Sequence, residues 1–139
     1  MGRKSKKLRR KRKMVKENDG IVYIYASFNN TIVQLTDLAG NTLGRVSGGL
    51  VTKHNRLKAN PTIAMFIAKR IGEFAKEQGI KDLYVRVRGQ TGATGVGPGA
   101  NSVVRRLGKE GFKIISIADE TRIPRGGQKK KGGRRGRRV

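Results

Sequence analysis

The sequence has no cysteine, a single histidine (His54) and only nine acidic residues among 139. The lack of cysteine excludes disulfides, thiolate zinc sites and thiol chemistry, and it fits a reducing compartment. A single histidine excludes a metal site built from several histidines. No apolar run approaches the roughly 20 residues that cross a bilayer, and no apolar stretch follows the basic start as in a signal peptide. We therefore expect a cytoplasmic protein with no membrane partner.

Positive charge is what the chain has in excess, with 33 lysines and arginines and a formal net charge of +24. Residues 1–16 hold ten cations and residues 122–139 hold nine, with no acid in either segment. The middle, 17–121, keeps fourteen cations beside all nine acids and is only +5. We predict a single globular domain over 17–121 between two basic arms that are disordered until a polyanion orders them. Nucleic acid is the usual polyanion, and a membrane surface is the weaker candidate.

Alternating residues and turn signals predict three strands in the first half of that domain. Residues 20–28 are apolar on both faces, which predicts a central strand covered on both sides. Asn29-Asn30 predicts a turn, because asparagine tolerates a left-handed backbone. Strands over 31–37 and 42–47 follow, the second closed by Gly48-Gly49. Joined by tight turns, the three strands form an antiparallel meander.

Helical spacing appears after residue 59. Asn60 is a suitable N-cap and Pro61 a suitable first helical residue, with Gly79 as the stop. Helical spacing predicts that one side of this helix faces the core of the domain, through Ile63, Ile67, Ile71 and Phe74. A strand over 82–88, a second helix ending near Glu110 and a strand over 112–118 complete the order β, β, β, α, β, α, β. Each helix then links parallel strands, which predicts a mixed five-stranded sheet with helices packed against it.

The loop 89–99 holds five glycines in eleven residues before a helix start. Unshielded backbone N–H groups and the positive helix end can hold a phosphate, whereas a turn without a ligand is the alternative. The spacings of nucleotide-binding and dinucleotide-binding loops are absent, so the phosphate would belong to RNA. On this interpretation a side chain at Gly97 obstructs RNA while the protein still folds.

Two other groups of residues have two interpretations. Tyr23, Tyr25 and Tyr84 could stack bases on an open sheet face, but core packing is favoured because aromatic residues are scarce. Scattered carboxylates such as Asp37 and Asp119 could serve a metal-dependent nuclease, but such a site needs several carboxylates converging on Mg²⁺. We expect no catalysis and no cofactor.

Several motifs together carry a resemblance to a known family. They are Ala26-Ser27-Phe28-Asn29-Asn30-Thr31, Thr36-Asp37, Gly40-Asn41, Leu43-Gly44, Gly97-Pro98-Gly99 with Ser102, and Lys131-Gly132-Gly133-Arg134-Arg135-Gly136-Arg137-Arg138. Over nearly the whole chain the sequence resembles the eleventh universal protein of the small ribosomal subunit. The basic tail resembles the archaeal and eukaryotic branch. One departure is Arg122, where the family often has proline.

The resemblance implies an α/β fold similar to ribonuclease H, with strand order 3-2-1-4-5 and no catalysis. It also implies a structural role in translation, on the platform of the small subunit near the exit path of messenger RNA. The implied partners are the central domain of the small-subunit ribosomal RNA and neighbouring small-subunit ribosomal proteins. The rival from another class is a protein that coats and compacts DNA, which would explain the arms but not a centre of only +5.

The residues predicted to contact RNA fall into arms, turns and loops. The arms raise affinity by releasing counterions, whereas the turn at residues 29–31, the connector 48–60 and the glycine-rich loop lie in the domain. The turn could instead serve only backbone geometry, and the connector could be merely solvated. The full set is Arg3, Lys4, Arg9, Arg10, Arg12, Asn29, Asn30, Thr31, Lys53, His54, Arg56, Lys58, Gly97, Pro98, Gly99, Arg125, Lys129, Lys130, Lys131, Arg134, Arg135, Arg137 and Arg138.

Overall fold

The computed structural model describes residues 19–90 and 95–127. They form a five-stranded sheet in the order β3-β2-β1-β4-β5, as predicted. The strands are β1 (Asp19–Ala26), β2 (Thr31–Asp37), β3 (Thr42–Ser47), β4 (Asp82–Arg88) and β5 (Lys113–Asp119). β1 pairs antiparallel with β2 and β2 with β3, whereas β1 pairs parallel with β4 and β4 with β5. The meander and the two parallel pairings are therefore confirmed.

Two long helices cover the same face of the sheet. The helices are α1 (Gly48–Val51), α2 (Pro61–Glu77) and α3 (Gly99–Lys109), with a 3-10 turn at Asn55–Leu57. The side chain of Asn60 caps α2 by accepting a hydrogen bond from the Thr62 N–H, at 2.9 Å. A left-handed Gly79, with φ of 74°, follows the end of α2. The connector after β3 is partly helical, which the glycine pair at its start did not predict.

The core lies between the sheet and these helices. One cluster of buried residues joins Val22 and Ile24 of β1 to Ile67 and Ile71 of α2 and to Leu107 of α3, among others. Because the branched and apolar side chains of alternate strand positions all meet the helices, burial of this single face stabilises the sheet. Phe74 departs from its predicted place, since it is 36% exposed at the flank of α2 and its ring covers Gly44 of β3.

The other face of the sheet corrects a prediction. β1 is central, as expected, but among the described residues no helix covers the side that carries Tyr23 and Tyr25. Tyr23 is 40% exposed, and none of the three tyrosines belongs to the core. The interpretation of the tyrosines as core residues is therefore wrong, because both long helices pack against the Val22 face alone.

Candidate nucleic-acid interface

The sheet topology brings four separate loops to one end of the molecule. The parallel strands β1, β4 and β5 all finish at the same edge, and β3 finishes there too, because its Ser47 pairs with Ile32 at the start of β2. The turn 27–30, the connector 48–60, the glycine-rich loop and the segment after Asp119 therefore adjoin. α2 and α3 also begin at this edge. We call this region the basic end, and the carboxyl ends of strands are where open α/β sheets bind their ligands.

The turn between β1 and β2 is held by its own side chains. The Ser27 hydroxyl accepts hydrogen bonds from the N–H groups of Asn30, at 3.0 Å, and Asn29, at 3.4 Å. Asn30 Oδ1 accepts a hydrogen bond from the Thr31 N–H at 2.8 Å. The predicted turn at Asn29-Asn30 is confirmed, but it forms without a left-handed asparagine, because no residue other than glycine has a positive φ in the described ranges. Asn30 therefore shapes the turn through its side chain, while Asn29 stays exposed beside Phe28.

Thr31, Gly97 and Gly99 are buried where the glycine-rich loop packs on this turn. Thr31 has 0% exposure and its hydroxyl has no hydrogen-bond partner in the described structure. A Cβ on Gly99 would overlap that hydroxyl, and a Cβ on Gly97 would overlap the Ser27 carbonyl. The Gly97 N–H also donates to the Ala26 carbonyl at 2.9 Å. Burial thus leaves the Thr31 side chain a positioning role instead of the expected contact with RNA.

The same packing corrects the expectation that a side chain at Gly97 would leave the fold intact. The obstructing atom is a backbone carbonyl, which cannot move aside as a flexible side chain can. Close approach of two backbones is a sufficient reason for glycine here. Pro98 differs from its neighbours because its side chain is exposed at the surface of the loop.

The connector 48–60 packs against the turn through Gly48. A Cβ there would lie 2.5 Å from the Lys58 carbonyl oxygen and 2.7 Å from Asn30 Oδ1. Lys53, His54 and Arg56 are exposed and Lys58 is half-buried. None of these side chains forms an ion pair with another described residue. Their positive charge is therefore available to a ligand at the basic end.

The segment after β5 is tied to the glycine-rich loop. Thr121 accepts a hydrogen bond from the Gly89 N–H at 2.8 Å, and its own hydroxyl and N–H donate to Asp119. These two donors, the Thr121 hydroxyl first, lower the pKa of Asp119 below its usual value. Arg122 and Arg125 follow in exposed positions. The C-terminal arm therefore begins at the same edge of the sheet as the other loops.

The first turn of α3 completes the basic end. It contains no acidic residue, and its N-cap, Pro98, provides no side-chain hydrogen bond. The backbone N–H groups of a first helical turn have no partner within the helix and carry the positive end of the helix dipole. Such a terminus favours an anion.

Charge is divided between the two ends of the sheet. Acidic side chains gather at the end opposite the loops, at the start of β1 and β4 and at the end of β2, α2 and α3. They are Asp19, Asp37, Glu77, Asp82 and Glu110. At the basic end the Asp119 carboxylate accepts a hydrogen bond from the Thr121 hydroxyl, and Glu120 forms an ion pair with Arg86 at 3.1 Å. Lys76, Lys81, Lys109 and Lys113 lie at the same far end and offset most of these carboxylates. The surplus of positive charge is therefore at the loops, where it favours a polyanion.

The structure also bears on the alternatives to RNA binding. Within 19–90 and 95–127, no group of three or more histidine, aspartate or glutamate side chains could hold a metal ion. No helix in these ranges is long and apolar enough to cross a membrane. The carboxylates considered for a nuclease are divided, since Asp37 and Asp119 lie at opposite ends of the sheet.

The structure places the predicted residues of the domain together and leaves the arms outside its description. The predictions for residues 1–16 and for Lys129–Lys131, Arg134, Arg135, Arg137 and Arg138 lie outside the described residues, as does the start of the 17–121 domain. Phe28, predicted as part of the first strand, lies beyond the end of β1 in the turn and is 55% exposed beside Asn29.

The fold and the surplus of positive charge are typical of one class of protein: an α/β domain that binds nucleic acid. A family model described as Ribosomal protein S11 matches residues 20–135. The chain belongs to this ribosomal protein S11 family. It is a structural protein of the small ribosomal subunit, not an enzyme, and it binds ribosomal RNA in translation. The resemblance read from the motifs is confirmed, while the archaeal or eukaryotic branch stays a prediction.

Proposed function

We propose that the basic end is the surface through which the domain of this protein contacts ribosomal RNA. The observation that carries the proposal is the convergence of the turn, the connector, the glycine-rich loop and the start of α3 at one edge of the sheet. These segments are up to about seventy residues apart in sequence, yet they bring exposed cations next to the N-terminus of α3.

Each part of the basic end has its own role in this proposal. Lys53, His54, Arg56 and Lys58 neutralise phosphates, and the first turn of α3 binds a phosphate through its N–H groups. Asn29 offers an amide to base edges or 2′-hydroxyls. Asn30, Gly97 and Gly99 hold these groups in register through the packing described above, and Pro98 lines the surface. Arg125 extends the charge toward the C-terminal arm.

The two arms strengthen the same complex without selecting a sequence. Their nineteen cations and lack of acids suit phosphate contacts along a folded RNA. Arginine interleaved with glycine in the C-terminal arm suits bidentate contacts in narrow grooves. Residues 1–16 and 122–139 are proposed to order on RNA around a folded 17–121 domain.

The proposed position of the protein in the small ribosomal subunit rests on its family membership. We propose that the RNA partner is the central domain of the small-subunit ribosomal RNA, and that the protein lies on the platform near the messenger RNA exit path in cytoplasmic ribosomes. Cross-linking in assembled small subunits, with messenger RNA that carries a photoreactive nucleotide near its exit, tests this. Cross-links confined to RNA outside the central domain, with none to messenger RNA, would contradict the placement.

A matched pair of variants tests the basic end. Lys53→Gln with Arg56→Gln removes two cations there, and Lys81→Gln with Lys113→Gln removes two exposed cations at the far end. Both variants have the same net charge. The first pair should weaken binding to the central-domain RNA. It should also make the slope of log K against log salt concentration less steep by roughly 1.4 to 1.8, at ~0.7 to ~0.9 per phosphate contact. The second pair should leave both unchanged.

Equal losses of affinity from the two pairs of substitutions would mean that only net charge determines binding. That result would contradict RNA contact through the basic end. The same titrations with duplex DNA separate the rival function. A full-length protein that binds DNA as tightly as the ribosomal RNA at every salt concentration would favour a compacting role.

A further inference from the structure

The sheet face opposite the helices carries an ordered row of aromatic and cationic side chains. In register across the sheet, Arg45 of β3 is next to Gln34, Gln34 is next to Tyr23, and Tyr23 is next to Arg86 of β4. The adjacent row places Ile32 beside Tyr25 and Tyr25 beside Arg88. We call this surface the tyrosine face. Its side chains alternate with those of the core, so they share one side of the sheet.

These side chains form a shallow groove of about 300 Å³. The volume is at the lower end of the range of ~300–1,000 Å³ that is typical of ligand sites. Its lining includes Tyr23, Tyr25, Gln34, Arg86 and Arg88. The Arg88 guanidinium lies 5.2 Å from the centre of the Tyr25 ring, a cation–π distance that orients both groups. The groove thus offers flat rings and fixed positive charge together.

Charge indicates what kind of partner fits this groove. Two arginines, Arg86 and Arg88, and one carboxylate, Glu120, line the groove, and Glu120 is already paired with Arg86. Arg45 lies on the same face next to Gln34. The surplus is positive, so the groove disfavours the cationic arms of this chain and favours an anionic partner. An anion that also presents planar rings matches both features. Single-stranded nucleic acid has this chemistry, since its bases stack on aromatic rings while arginines bind its phosphates.

We propose that the tyrosine face is a second RNA-binding surface, on which unpaired nucleotides stack against Tyr23 and Tyr25. Arg45 and Arg88 bind the flanking phosphates, and the Gln34 amide bonds to a base edge. The proposal goes beyond contact through the basic end, because it assigns recognition of single strands to the sheet itself. It can fail while the basic end still binds RNA.

The chain provides its own probe for this surface. It has no tryptophan and three tyrosines, and all three lie on the tyrosine face, because Tyr84 pairs with Ile21 in the register that also aligns Tyr23 with Arg86. Tyrosine fluorescence of the full-length protein therefore reports on this face. Titration with oligoadenylate should quench it saturably. An abasic ribose-phosphate oligomer of the same length should bind the arms and leave it unquenched.

Substitutions distinguish stacking from general charge. Tyr23→Ala and Tyr25→Ala should each weaken binding of labelled oligoadenylate by at least about fivefold, since stacking on an aromatic ring is worth ~1–3 kcal/mol per base. Tyr23→Phe and Tyr25→Phe keep the ring and should retain most of the affinity. Phe66→Ala is the matched control, because Phe66 is an aromatic residue with 53% exposure on α2, outside the groove.

Three results would overturn the proposal. The first is oligoadenylate binding without tyrosine quenching, which would leave RNA to the basic end and the arms. The second is equal affinity of both alanine variants and the parent, with folding confirmed by circular dichroism. The third is quenching by polyglutamate but not by oligoadenylate, which would assign the face to an acidic protein.

Discussion

Single glycines show how closely the loops of the basic end pack on one another. A Cβ at Gly97 meets the backbone of Ser27 and one at Gly99 meets the buried Thr31, whereas a Cβ at Gly108 has nothing within 4 Å. The difference lies in the neighbours, because the glycine-rich loop packs directly on the turn after β1 and on Thr31, whereas Gly108 faces open space. At the residue scale, the shape of the basic end therefore depends on residues that are themselves buried, such as Gly97, Gly99 and Thr31.

Gly97→Ala should lower the free energy of unfolding by about 1–3 kcal/mol, the usual cost of overpacking. Gly108→Ala is the control and should raise it by up to about 1 kcal/mol, since alanine favours a helix more than glycine does. Urea denaturation of both variants measures the effect. Equal stability of Gly97→Ala and the parent would mean that the loop does not pack on Ser27 as described.

At the scale of secondary-structure elements, α2 runs from the basic end to the opposite end of the sheet. Its first turn is capped by Asn60, and its last turn contacts the end of α3 through Lys76 and Glu110. The cap is local, whereas the Lys76–Glu110 pair joins residues that are distant in sequence. Each contributes to the orientation of a helix whose N-terminus adjoins the connector cations. Their loss can be measured separately.

Asn60→Ala should destabilise the protein by about 1 kcal/mol, because the Thr62 N–H loses its acceptor. Asn101→Ala is the matched control, since Asn101 is exposed in α3, where alanine has the higher helix propensity. Thermal unfolding should show a lower midpoint for the first variant alone. A similar decrease for both variants would contradict the capping role.

Lys76 and Arg106 both pair with Glu110 where α2 and α3 meet. Their contacts predict that the stability of the protein depends on pH. The hydrogen bond from Lys76, at 3.0 Å, and then the charges of Lys76 and Arg106 lower the pKa of Glu110 below its usual 4.5. A lowered pKa in the folded state means that the stabilisation is present above pH 4.5 and is lost as the pH falls through the lower, folded value.

Carboxyl carbon NMR should therefore give Glu110 a titration midpoint below 4.5 in the parent. In Lys76→Gln the midpoint should move upward, because the strongest donor is lost. Lys69→Gln changes charge elsewhere on the same helix and should leave the midpoint in place. An unchanged midpoint in Lys76→Gln would contradict the interaction.

At the scale of the whole molecule, we expect the arms and the domain to contribute differently to RNA binding. The arms hold nineteen of the 33 cations, so they should dominate the salt dependence of affinity. If about ten of them meet phosphates, log K should fall against log salt with a slope of about −7 to −9. The domain, with its basic end, should retain the preference for ribosomal RNA over duplex DNA.

Comparison of the full-length protein with a 17–121 fragment tests this division. The fragment should lose most of the salt slope and keep the preference for RNA, and circular dichroism checks that it is folded. A folded fragment without that preference would assign specificity to the arms.

Local patterns predicted the elements well and the exposure of their faces poorly. The predicted strands over 31–37, 42–47 and 82–88 match β2, β3 and β4, because alternation and flanking turn residues are local signals. The last strand is displaced by one residue, since Phe112 packs in the core just before β5 begins. Within the candidate site, the sequence alone predicted the exposed cations of the connector. The burial of Thr31 was not, because the atoms that cover it come from a distant loop.

The sequence by itself determined the order of helices and strands, the concentration of charge in the arms and the family, through motifs such as Ala26–Thr31. These properties depend on neighbouring residues, on helical and strand periodicity and on composition. Only the tertiary structure decided that the loops meet at one end, that Gly97 and Gly99 pack against protein, and that Tyr23 and Tyr25 face away from the helices. Alternation assigns residues to two faces of a strand, but which face is covered depends on where helices from distant parts of the chain pack.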